Sequence, residues 1–184
     1  MVLFEVPLFI EKLNLDNKLI LNICKNIHKK DKGVVKSNLG GWHSSSIKKE
    51  DFDVLFDIIL TKANLFCKKF NKKTPIYFTD AWININNYKD SNQLHFHPHS
   101  FLSGVYYIEV PINSGNIVFE NPGQDVMCSN WDINDIENFN SLNSPYYKVV
   151  PETGNLLLFP SWLKHSVESN MTNKERVSIS FNLS

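Results

Sequence analysis

His95 and His97 stand two residues apart, and on an extended strand that spacing turns both imidazoles to one face. Two imidazoles so placed can reach one cation at roughly 2.0–2.2 Å. Pro98 ends a simple strand ladder directly after them, as happens at a strand end beside a site. His99 has the same parity but lies beyond the proline, where the chain changes direction. The chain has 6 histidines, so the crowding of His95, His97 and His99 favours metal binding over a solvated cluster. His165 opens another short strand far downstream. Arg176 follows it, a single arginine among 19 lysines and arginines. A guanidinium makes a planar fork to a carboxylate that lysine cannot match, and Ser178, two residues on, adds a hydroxyl on the same face. Taken alone, Arg176 would be read as a surface ion pair with Glu168 or Glu175. Beside three histidines, it reads as the anchor of a carboxylate-bearing ligand next to a bound cation.

These residues need strands to hold them, and the chain supplies strands after a helical start. Pro7-Leu8-Phe9-Ile10 reads as an opening strand. Asp16 is a candidate cap for a helix to about Lys30, with Leu19, Ile20, Ile23, Cys24 and Ile27 on one face and Gly33 past its basic end. A polar loop, Ser37 to Ser44, carries Gly40-Gly41-Trp42-His43. A second helix runs from about Glu50 to Phe70, with an apolar stripe from Phe52 to Phe70 that braces a sheet. From Pro75 the period becomes two. Strands are expected at Tyr77–Asn86, Ser103–Val110, Asn116–Glu120, Tyr146–Val150, Leu156–Phe159, His165–Glu168 and Arg176–Leu183, with a polar excursion over Gln124–Ser144. Trp82, Asn84 and Asn86 share one face of the first of these. About eight short strands behind two helices point to an α+β fold, a double-sheet barrel or jelly roll braced by two N-terminal helices. The chain divides as one domain over 1–184, with helical support at 1–74 and a β core at 75–184.

Composition narrows the function classes. The 184 residues suffice for one real core, and 42% hydrophobic with 12% aromatic content is that of a globular chain. Net charge is zero with no basic stripe, which disfavours nucleic acid as a partner. No apolar run approaches the length that spans a bilayer, and the start lacks the marks of a signal peptide. Cys24, Cys67 and Cys128 are odd in number and widely spaced, as expected of thiols in a reducing cytoplasm.

Six segments recur in order in a known family: Trp82-Ile83-Asn84-Ile85-Asn86, His95-Phe96-His97-Pro98, Ser103-Gly104-Val105-Tyr106-Tyr107-Ile108, the run from Gly115 to Pro122, Phe159-Pro160-Ser161-Trp162-Leu163-Lys164-His165, and the run from Glu175 to Asn182. Together they resemble the 2-oxoglutarate- and Fe(II)-dependent oxygenases frequent in marine bacteria and their phages. The Gly40-Gly41-Trp42 loop is also similar to that family's amino-terminal element. The resemblance implies a double-stranded β-helix in the cytoplasm. It implies Fe(II) held by His95, His97 and His165, and 2-oxoglutarate as co-substrate held by Arg176 and Ser178, with Asn84 as a further contact and Tyr107 behind it. The superfamily's usual ligand set is His-x-Asp/Glu with a distal histidine; here His97 stands in the carboxylate's place. Asp90, Glu109 and Glu120 have the wrong offset from His95, so a trihistidine centre is expected. No small residue at 97 leaves room for a halide, and hydroxylation with release of succinate and CO2 is the implied reaction. The substrate is a small molecule or a peptide, peptidyl proline among the options. The 124–143 loop with Trp131 and the Gly40-Gly41-Trp42-His43 loop are the expected specificity elements.

Two other readings stay open from the residues. A cupin-like metalloprotein without 2-oxoglutarate would use the same histidines, but it predicts a glutamate four or five residues after the pair, where Phe101 and Leu102 stand. It also leaves Arg176 without a task. A non-catalytic interaction protein that keeps the fold is the other alternative.

Overall fold

The computed structural model describes residues 4–184. In chain order its elements are β1 (Phe9–Lys12), α1 (Asn17–His28), β2 (Asn38–Leu39), β3 (Trp42–His43), α2 (Asp53–Cys67), β4 (Phe78–Asn86), β5 (Ser91–His95), β6 (Leu102–Glu109), β7 (Ile117–Glu120), α3 (Gln124–Asn130), β8 (Tyr146–Val149), β9 (Asn155–Pro160), β10 (His165–Val167) and β11 (Arg176–Leu183). Asp16 caps α1 by accepting a hydrogen bond from the Leu19 backbone N–H at 3.0 Å, which satisfies one of the orphan donors of the first turn. The second helix is shorter than its apolar stripe suggests, because its ends tighten into 3-10 turns at Lys49–Asp51 and Lys68–Phe70.

The strands form two antiparallel sheets. The larger has the order β1-β9-β6-β11-β4-β3 and the smaller β2-β5-β10-β7-β8. Alternation along β11 shows how the larger sheet is fixed to the helices. Val177, Ile179, Phe181 and Leu183 enter a buried cluster with Ile83 and Ile85 of β4, Ile20 and Cys24 of α1, and Leu55, Ile59 and Ala63 of α2. Each such aliphatic side chain contributes about 1.5–3 kcal/mol by leaving water. Phe181 fills space left by Gly104, where a Cβ would come within 2.5 Å of the Phe181 ring. A second cluster lies between the sheets, built from Val105, Tyr107, Ile117, Phe119, Leu157 and Phe159.

The structure has more strands than the sequence pattern reveals. β2 and β3 lie in what reads as a loop, and Gly40 and Gly41, at φ of 69° and 64°, carry the chain from the smaller sheet to the larger. A side chain at Gly40 would collide with the Asp90 carboxylate, its Cβ meeting Oδ1 at 2.1 Å. β5 escapes period-two reading because it is polar and bulged: His165 pairs with His95, but Val167 pairs with Asn92, so Ser166 alone faces Gln93 and Leu94. The opening strand sits two residues later than expected, at Phe9–Lys12. The excursion after Gln124 is partly helical, with α3 and a 3-10 turn at Ile133–Asp135. No helix among the described residues is long and apolar enough to cross a membrane.

Candidate metal centre and its cavity

The bulged pairing of β5 with β10 sets His95 directly opposite His165, and His97 follows where the chain leaves the sheet. Its backbone N–H donates to the Ser161 carbonyl at 2.9 Å, which ties the 95–97 segment to the β9–β10 turn. The ring centroids lie 4.4 Å apart for His95 and His165, 5.0 Å for His95 and His97, and 5.2 Å for His97 and His165. One nitrogen from each lies within 4.8 Å of the others. Nδ1 of His95 donates to the Gln93 carbonyl at 2.7 Å, and Nδ1 of His165 to the Leu163 carbonyl at 2.9 Å. A carbonyl only accepts, so in both rings the proton sits on Nδ1 and Nε2 is the free lone pair. His97 has no such bond.

Electrostatics favour the ligating form. Burial, then the neighbouring imidazole of His95, push His165 down to about 3 and His97 down to about 4. Burial also lowers His95, opposed by its bond to Gln93. Three neutral nitrogen donors without a proton to displace suit a divalent first-row transition metal. The clustering residues are all histidine, with no carboxylate among them.

At the deep end of the same cavity lies Arg176, 2% exposed. Its Nη1 donates to the carbonyls of Ser114 at 2.5 Å, Gly115 at 3.3 Å and Glu168 at 3.4 Å. The sequence alternative of a surface ion pair does not hold: the Glu168 carboxylate pairs with Lys148 at 2.7 Å and that of Glu175 with Lys25. Burial pulls the guanidinium's pKa down, and the nearby Tyr107 and Asp90 pull it back up. Burial pushes the Tyr107 phenol up to about 12, so it stays a neutral hydroxyl. A buried cation held only by neutral carbonyls is costly until an anion joins it. The turn that holds it is tight. Gly115 has φ 90°, and a Cβ there would meet the Glu168 carbonyl oxygen at 2.3 Å.

Register explains which side chains share the cavity. Arg176 is paired with Asn86, and Ser178 with both Asn84 and Tyr107. Asn84 donates from Nδ2 to Ser180 Oγ at 3.0 Å. Trp82, Asn84 and Asn86, which alternation puts on one face without telling inward from outward, line the cavity together with Ser178. Asn92 was missed, because only the bulge brings it to the same face as His95. Ser37 was missed as a lining residue, and His43, expected in a specificity loop, instead backs Trp82, because β2 and β3 carry no strand signal. His99 lies apart from the cluster: its φ is 64° and its carbonyl accepts from Ser184 Oγ. The expectation for the Gly40-Gly41-Trp42-His43 loop changes too. Trp42 turns away from the cavity, its ring 4.4 Å from that of His28 and its Nε1 donating to the Asp31 carbonyl.

Comparison with known proteins shows the family and the fold. Residues 80–182 match the family described as "Putative 2OG-Fe(II) oxygenase", more than half of the chain, and the chain belongs to that family. Its fold is shared with a Pseudomonas putida prolyl-4-hydroxylase, at 14% identity over 96% of this chain and 92% of the other with a TM-score of 0.65. It is shared as well with a Trichoplax adhaerens prolyl hydroxylase solved with a hypoxia inducible factor peptide fragment, at 16% identity over 96% and 82% with a TM-score of 0.67. A 2OG-Fe(II) oxygenase family oxidoreductase from Burkholderia pseudomallei aligns at 15% identity over 73% of this chain with a TM-score of 0.54, and this chain spans 55% of its length. No curated protein sequence matches the chain.

Proposed function

We propose that the chain is a 2-oxoglutarate-dependent hydroxylase in which His95, His97 and His165 hold Fe(II) and Arg176 holds the far carboxylate of 2-oxoglutarate. The single observation that carries this reading is the buried guanidinium with no carboxylate bonded to it among the described residues, in one cavity with three neutral imidazoles. When bound, the metal and co-substrate supply the oxidising power for hydroxylation by dioxygen, with succinate and CO2 as co-products. The protein's own part is placement. The two carbonyl-locked imidazoles keep their Nε2 atoms turned to one point. Arg176, fixed through Nη1, offers its remaining N–H groups to the cavity, and the hydroxyl of Ser178 stands beside it. Asn84 and the neutral Tyr107 add hydrogen-bonding groups on the same wall. Phe119 and Phe159, whose centroids lie 6.0 and 4.8 Å from that of His165, keep water from its other side.

This reading makes the two sheets a double-stranded β-helix, or jelly roll, braced by α1 and α2. Residues 1–74 and 75–184 then serve one domain. It places the enzyme in the cytoplasm, consistent with the unpaired Cys24 and Cys67 in its core. The substrate is a small molecule or a peptide; the peptide-bound Trichoplax neighbour makes the peptide class the first to screen. Purified protein given Fe(II), 2-oxoglutarate and oxygen should form succinate, and an Arg176→Ala variant should not. Metal binding without 2-oxoglutarate turnover would return the chain to cupin-like chemistry, and loss of both to an interaction protein.

A further inference from the structure

His97 differs from its two partners in how it is held. His95 and His165 are each locked by a carbonyl two residues back. His97 lies outside the strand, precedes Pro98 and lacks that lock. What its ring meets is Trp82, at 5.6 Å between centroids and tilted by 45°, within the spacing that aromatic pairs prefer. Trp82 sits in β4, inside the larger sheet, and is 9% exposed. Behind it His43 stacks at 5.3 Å with only 8° between planes. His43 is itself fixed, its Nδ1 donating to the Ser44 carbonyl at 2.8 Å, and it is paired in register with Asn84. Gly40 and Gly41 set β3 there. We infer that Trp82, backed by His43, is the positioning residue for His97: a buried aromatic stack does for the third ligand what a backbone carbonyl does for the other two.

The inference rests on the three histidines holding a metal, and not on 2-oxoglutarate use. It explains why the ligand that stands in a carboxylate's place has a rigid wall beside it. An imidazole free to rotate about its side-chain bonds would present its nitrogen to the metal only part of the time, and partners that orient ligands are worth about 10- to 100-fold in metal affinity.

The test uses the full chain, stripped of metal and titrated with Co(II), read by calorimetry and by the visible absorption of the bound ion. Trp82→Leu should weaken Co(II) binding by about tenfold or more and change the absorption bands, as an imidazole is lost from the set. Trp82→Phe should restore most of the affinity and the wild-type spectrum. His43→Leu should give a smaller loss in the same direction. In a His97→Ala background, Trp82→Leu should have no further effect on Co(II) affinity, because the ring it positions is gone. Equal losses in both backgrounds would mean that Trp82 only supports the fold, and would overturn the proposal. So would a Trp82→Leu protein that binds Co(II) as tightly as wild type with the same spectrum. If Trp82→Leu does not fold, His43→Leu in the two backgrounds decides by the same comparison. Failure of wild type to bind Co(II) overturns this proposal and the metal reading together. Failure to turn over 2-oxoglutarate, with the Co(II) cycle as expected, sinks the hydroxylase reading alone.

Discussion

The two faces of β11 belong to different economies of contact. On one, Val177, Ile179, Phe181 and Leu183 are packed by helix and strand side chains until almost no water reaches them. On the other, Arg176, Ser178 and Ser180 line a cavity, and Arg176 is bound only to main-chain oxygens of other segments. The first face is completed by the chain itself, whereas the second, on the reading proposed above, is completed by a bound ligand. One strand with period-two alternation thus carries stability and chemistry side by side, and damage to either should be separable.

The largest expected effect is on the apolar face. Phe181→Ala removes a fully buried ring that meets Phe78 at 5.5 Å and should cost about 3–5 kcal/mol in urea unfolding. The molecules that remain folded should keep wild-type affinity for 2-oxoglutarate. Next comes Arg176→Lys, which keeps a positive charge and loses the fork. It should lower succinate formation at limiting 2-oxoglutarate by about a hundredfold, in the range of lost buried charge pairs, while the melting temperature of the metal-free protein moves by only a few degrees. Gly104→Ala should cost about 1–3 kcal/mol, as overpacked cores do, because its Cβ would meet both the Phe181 ring and the Leu157 carbonyl oxygen, the latter at 2.6 Å. Its effect should not add to that of Phe181→Ala, which opens half of the same space. The smallest effect belongs to Asp31, remote from both faces. Its carboxylate accepts from the backbone N–H groups of Gly33 and Ser45, bonds that, Gly33 first, hold its pKa below the ordinary 3.8. A carboxyl depressed on folding stabilises above the unfolded pKa and loses that contribution as pH falls through the folded one. Asp31→Asn should therefore melt slightly lower than wild type at pH 7, and the gap should close as the pH is taken below 3.8.

The sequence made β11 legible because alternation there is complete, with every second residue apolar from Val177 to Leu183. The same logic put Trp82, Asn84 and Asn86 on one face, and the two-residue spacing turned His95 and His97 to one side. It failed where geometry departs from period two. A bulge in β5 turned Asn92 inward, and no residue type announces a bulge in Ser91-Asn92-Gln93-Leu94-His95. It failed also where strands are two residues long, as at Trp42–His43, too short for any period, so His43 passed as a loop residue. Tyr107 entered only as a secondary candidate through the family resemblance, since burial and a nearby guanidinium are properties of the assembled cavity.

Gly115 has a consequence for which acid the cavity accepts. Its tight turn clamps the guanidinium before any ligand arrives, and the imidazoles are fixed on the facing sheet. In the proposed site, the interval between Arg176 and His165 is set by the register of the strands that carry them rather than by a pliable loop. If those are the two anchors, 2-oxoglutarate should bind better than keto diacids one carbon longer or shorter, which could satisfy one end at a time.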